Sequence, residues 1–165
     1  MKLTAVCVLL AAVFATGQER QKTRVEFQTI DGRTIALDDL RGRVVLLDFW
    51  ATWCAPCLAE LPRLKKLHKQ YGREDFEIIG ISLDTLDRRT FNSWVRRNSI
   101  TWPQVHEGRG YNGDLARRFE VEKLPVTVLL DRNGDVAGRD FRGERLESAV
   151  RKLTSDGVFS PVFGQ

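Results

Sequence analysis

Histidine, cysteine and long apolar runs are all scarce in this chain. The one extended apolar run, residues 3–15, falls short of the about 20 residues that a membrane-spanning helix needs. His68 and His106 are the only histidines, and the three cysteines are Cys7, Cys54 and Cys57. A zinc or copper site would need a second cysteine pair, which is missing, or both histidines, which would have to join a helical segment to a distant loop. No metal is therefore expected. The charge excess is small, +4, and the arginine pairs at 88–89, 96–97 and 117–118 fall in helical segments with no basic-aromatic motif beside them, which argues against a nucleic-acid partner. Internal repeats and low-complexity stretches are also lacking. What is present is ordinary for a globular chain: 42% hydrophobic and 29% charged residues in 165, enough for one domain with a full core and no disulfide staples.

The N-terminus reads as an export signal. Lys2 supplies a positive start, the apolar run follows, and Ala15-Thr16-Gly17 offers small residues for cleavage. The expected organisation is a signal peptide over 1–17, a short linker over 18–24, the folded domain over 25–153 and a tail over 154–165. Cleavage would remove Cys7 and leave a soluble extracytoplasmic protein with two cysteines. A disulfide closing only two intervening residues stabilises little, so that spacing points to chemistry rather than stapling.

Residues 25–30 alternate apolar and polar, Asp31-Gly32 supplies a turn, and residues 33–37 return as a second strand. Residues 44–50 are a dense apolar run broken by Asp48, the pattern of a strand buried on both faces. Pro56 suits a helix's first turn, and Leu58, Leu61, Leu64 and Leu67 continue at helical spacing to about Tyr71, with Pro62 expected to kink the helix. Strands are expected at 76–82, 102–105, 126–130 and 136–141, and helices at 88–97, 115–119 and 144–153. A β-α-β-α-β core closed by an antiparallel hairpin makes an α/β three-layer sandwich with a mixed central sheet.

Trp53-Cys54-Ala55-Pro56-Cys57 stands where the buried strand meets its helix, which puts the Cys54 sulfur near unpaired N–H groups. Those donors favour thiolate. Lowering a thiol from its ordinary pKa of about 8.5 to about 7 raises the attacking species at neutral pH by about tenfold. Cys54 is accordingly the nucleophile, and Cys57, one turn deeper, the resolving thiol. Asp48 interrupts an apolar strand, so burial should raise its pKa and suit it to take the Cys57 proton; the competing reading is an aspartate hydrogen-bonded at a sheet edge. Trp53 is read as shielding the sulfurs and contacting partners.

Residues 48–57, Asp-Phe-Trp-Ala-Thr-Trp-Cys-Ala-Pro-Cys, resemble the active-site segment of the thioredoxin superfamily, with Pro62 matching its helix proline. The hairpin, Gly80-Ile81-Ser82-Leu83-Asp84, an inserted αβ unit over 91–105 and the segment 124–131 resemble the exported TlpA/ResA-like branch. The resemblance implies a thioredoxin-like fold and a redox-active Cys54–Cys57 disulfide with no other cofactor. It implies that Pro125 is a cis-proline and that Leu124 presents its backbone to an extended substrate. Members of that branch often carry asparagine where Asp48 stands; the aspartate agrees with the parent family. Partners implied are disulfide-containing clients, apocytochromes c among them, and an upstream membrane thiol reductant, the protein itself acting as a monomer.

Ala55-Pro56 holds no His or Lys to stabilise a thiolate further, which favours reductase over oxidase. A peroxiredoxin-like thiol peroxidase is disfavoured because Ala51 stands three residues before Cys54, where such enzymes carry threonine. A non-catalytic binding module or metal chaperone is disfavoured by the intact cysteine pair.

Overall fold

The computed structural model describes residues 25–155, so the expected signal, the linker and the tail beyond 155 lie outside the described residues. Glu26–Gln28 (β1) and Thr34–Ala36 (β2) pair antiparallel as the expected hairpin, with Phe27 opposite Ile35. Then come Val44–Trp50 (β3), Ala55–Asp75 (α1), Phe76–Ser82 (β4), Arg88–Arg97 (α2), Gln104–His106 (β5), Asp114–Arg118 (α3), Val126–Leu130 (β6), Val136–Arg139 (β7) and Gly143–Ser155 (α4). The sheet runs β5-β4-β3-β6-β7. β4 is parallel to β3 and β5, whereas β6 is antiparallel to β3 and β7.

β3 is the central strand and every residue of it is buried. Because side chains alternate across a strand, its residues divide between two cores. Val44, Leu46 and Trp50 pack with Leu61, Leu64 and Leu67 of α1 and with Leu146 and Val150 of α4. Val45, Leu47 and Phe49 pack on the other face with Phe27 of the hairpin and with Leu115 and Ala116 of α3. This is the expected three-layer α/β sandwich. Asp48 shares the phase of Leu46 and Trp50, so its carboxyl faces the layer that holds α1 and α4.

Several boundaries differ from expectation. α1 runs to Asp75, but its dihedrals leave the helical region at Gly72 (φ 65°, ψ 175°), next to the expected end near Tyr71, since glycine takes that conformation without a steric penalty. The strand expected at 102–105 begins its ladder only at Gln104, opposite Gly80, because Pro103 has no N–H to pair. α3 starts one residue early, at Asp114, where the Glu107 carboxylate accepts the Asp114 and Leu115 N–H groups. β7 stops at Arg139, and Asp140, at φ 57°, turns the chain out of the sheet. α4 runs two residues past 153, and Arg132 caps its Thr154 carbonyl at 3.0 Å.

Gln104 joins the layers around β4. Its buried amide accepts the Trp50 indole N–H at 3.0 Å and lies against Gly80, where an added Cβ would overlap it. Gly80→Ala is therefore expected to lower the unfolding free energy by about 1–3 kcal/mol, read from urea midpoints. Adding Gln104→Ala should recover part of that loss, and strict additivity of the two variants would contradict the overlap.

Candidate active site

The turn from β3 into α1 is fixed from beneath by Asp84, fully buried just after β4. Its carboxylate accepts the Thr52 N–H at 3.0 Å, the Thr52 hydroxyl at 2.6 Å and the Ser82 hydroxyl at 2.8 Å. Cys54 is thereby set at the N-cap of α1, with its N–H donated to the Ala51 carbonyl at 3.1 Å. Its Sγ accepts the Cys57 N–H at 3.3 Å, one of the donors that a helix start leaves without an intrahelical partner. Cys54 and Cys57 are joined as a disulfide with Sγ–Sγ 2.01 Å. The pair lies just beneath the surface, 4% and 5% exposed, while neighbouring Trp53 is 59% exposed and Ala55 and Pro56 also face solvent. Trp53 is thus a protruding side chain and not part of the core.

Behind the disulfide, Asp48, Cys57, Glu60, Pro125, Thr127, Phe141 and Arg142 enclose a crevice of about 10 Å³, the threshold for one water. The Leu124–Pro125 peptide is cis, Pro125 is buried, and Leu124 is half-buried between the two cores. Asp48 is not at a sheet edge: it pairs with Gly80 on one side and Thr127 on the other. Burial raises its pKa to about 7, the Glu60 carboxylate adds to the rise, and the Arg142 guanidinium opposes it. The site thus gathers the two cysteines, Asp48, Leu124 and Pro125, with Trp53 at its rim. Among the described residues, no cluster of three or more His, Cys, Asp or Glu is arranged to hold a metal.

Three side chains gain importance only in the fold. Glu60, on the helix turn after Cys57, lines the crevice and accepts the Gly143 N–H at 3.1 Å. Its spacing of three from Cys57, the same helix face, was the available signal. Arg142 donates to the Pro125 carbonyl from the loop after β7. Asp84, which closes the family-like segment Gly80-Ile81-Ser82-Leu83-Asp84, anchors the turn, and no local sequence pattern marks Arg142.

Residues 19–139 match the AhpC/TSA family. The chain belongs to the AhpC/TSA family. Among curated relatives, the thiol-disulfide oxidoreductase ResA of Bacillus thuringiensis is 33% identical over 129 residues, covering 76% of this chain and 72% of that protein. ResA of Oceanobacillus iheyensis is 32% identical over 109 residues, covering 66% of this chain; the chain spans about half the length of that relative, 55%. Among solved structures, a thiol-disulfide oxidoreductase from Bacteroides fragilis superposes with a TM-score of 0.67 at 31% identity, covering 79% of this chain and 96% of the other. By motif and by kinship this AhpC/TSA member stands among the thiol-disulfide oxidoreductases. The peroxidase alternative gains nothing from the geometry: Ala51 is an enclosed methyl, and the adjacent Thr52 hydroxyl is committed to Asp84.

The Asp48 carboxyl links stability to pH. Below about pH 4 native and unfolded chains both hold its proton; between about 4 and 7 only the native chain does, so stability falls as pH rises and levels off above. The full shift corresponds to about 4 kcal/mol. Asp48→Asn in the oxidised protein should thus gain stability relative to wild type as pH rises from about 4 to about 8 in urea titrations. A difference independent of pH would contradict a raised Asp48 pKa.

Proposed function

We propose that this protein reduces disulfides of client proteins in an extracytoplasmic compartment by dithiol-disulfide exchange. The observation that carries the reading is the Cys54–Cys57 bond at the N-terminus of α1 with Asp48 and Cys57 lining one crevice behind it. In the reduced enzyme the Cys54 thiolate attacks one sulfur of a client disulfide, and the other client sulfur leaves as a thiolate. Cys57 passes its proton to Asp48 and attacks the Cys54 sulfur, which closes the enzyme disulfide and releases the second client thiol. Two electrons have then moved from enzyme to client. A carboxyl with pKa about 7 is matched to that proton transfer at neutral pH.

The cis-proline segment Leu124-Pro125 offers its backbone to the stretch of client around the reacting sulfur, and Trp53 meets the partner at the rim. The disulfide is the only redox group this cycle requires. An upstream membrane thiol reductant restores the dithiol, and the enzyme works as a monomer. The N-terminal apolar run supports export, and the kinship with ResA supports a role in delivering reduced clients, apocytochromes c among them. No helix among the described residues is long and apolar enough to cross a membrane.

Reduction is favoured over oxidation because Ala55-Pro56 brings no cationic side chain to the thiolate. Equilibration with glutathione or dithiothreitol should place the potential nearer the reducing relatives at about −270 mV than the strong oxidants at about −120 mV, and the latter value would reverse the direction. Cys57→Ser, reduced and offered a disulfide-bonded protein such as insulin, should accumulate a covalent complex through Cys54, whereas Cys54→Ser should not. A Cys57→Ser variant that forms no such complex, or a wild type whose main turnover is peroxide consumption, would overturn the assignment.

A further inference from the structure

The loop between β7 and α4, together with the first residue of α4, bonds to β6, to the cis-proline segment and to α1. Asp140 donates its N–H to the Thr127 carbonyl at 2.8 Å, and the Phe141 carbonyl accepts the Thr127 hydroxyl at 3.0 Å. Arg142 donates to the Pro125 carbonyl, and Gly143 donates to Glu60 at 3.1 Å. Two consecutive residues thus hold the cis-proline segment and the α1 carboxylate. We propose that Arg142 is a positioning residue for the exchange reaction: it anchors the Pro125 carbonyl, next to the Leu124 backbone proposed to meet the client, while its charge faces the Asp48–Glu60 carboxyl pair across the crevice.

The electrostatic surroundings are few enough to name. On the α1 side stand Glu60 and Cys57, with Arg63 3.7 Å from Glu60 and itself paired with Glu147 of α4. β4 presents Gly80 and β6 presents Thr127 beside Asp48, neither of them charged. From the β7–α4 loop comes Arg142, with Asp140 4.0 Å away. Arg142 is the cation that lines the crevice. It opposes what burial and Glu60 do to Asp48, holding the carboxyl in the range where it both accepts and releases a proton near neutrality. Its bond to Pro125 ties that balance to the segment that meets the client. Docking of a client main chain against Leu124-Pro125 competes for, or rearranges, the same guanidinium that biases the base.

The inference rests on the exchange reading, so its test has one arm that needs no activity. In the oxidised protein, carboxyl carbon NMR should show Asp48 titrating higher in Arg142→Gln than in wild type by about 0.5–1 unit, a size set by an opposite charge that is partly exposed to solvent. Arg142→Lys should restore most of that shift. In the second arm, with insulin as client, Arg142→Gln should raise KM several-fold and move the acid limb of kcat to higher pH; in an Asp48→Asn background the same substitution should alter KM but not the limb. A wild-type protein that reduces no insulin would overturn the exchange reading and leave the NMR arm to decide on Arg142. If the Asp48 titration is the same in Arg142→Gln and wild type, or Arg142→Gln changes neither KM nor the limb, the assignment to Arg142 fails.

Discussion

A sulfur atom at the open start of a helix is the constraint around which the rest is arranged. The first N–H groups of α1 have no partner within the helix, and the Cys57 N–H turns to the Cys54 sulfur. Keeping that sulfur in place requires a sharp junction between a fully buried strand and the helix. Asp84 supplies the junction with three hydrogen bonds from Thr52 and Ser82. The two cores supply its rigidity, since β3 is gripped by side chains on both faces.

The same strand that delivers Cys54 also carries the carboxyl to which the proposed mechanism sends the proton. Alternation along β3 aims Asp48 at the helical layer, where Cys57 descends from the first turn of α1. Placing a carboxyl there costs stability above neutral pH, a cost retained in a strand otherwise built for burial. Glu60, Thr127 and Arg142 complete the walls, so the Asp48 carboxyl, the Cys57 side chain and the cis-proline segment line one crevice. Cys54 and Asp48 are thus set by one strand, and the Leu124-Pro125 segment by its antiparallel neighbour.

Much of this was legible in the sequence, and the parts that were not share a cause. β3, β4 and β6 are dense apolar runs interrupted at few positions, Asp48, Glu77 and Thr127 among them, and their bounds follow from the sequence pattern. The edge strands β5 and β7 are limited by what their neighbours offer, such as Pro103 lacking a donor or Asp140 turning away, so their ends drift from a pattern-based reading. The cysteine pair and Asp48 stood out because each breaks a local rule, two thiols in close spacing and a charge within an apolar strand, whereas Pro125 stood out through the resemblance to the thioredoxin superfamily. Glu60 and Arg142 break none. Their importance comes from contacts with residues more than ten positions away in sequence, Gly143 and Pro125, which only the folded chain brings together.

In the proposed mechanism the helix start makes Cys54 a readily ionised nucleophile. The most direct measurement is the pH dependence of iodoacetamide alkylation of Cys54 in the reduced protein, followed by mass spectrometry with Cys57 replaced by serine. The rate should reach half its plateau at least one unit below the pH of about 8.5 at which an ordinary thiol does so. A half-plateau at or above that pH, or a Cys54 that resists alkylation throughout, would contradict it.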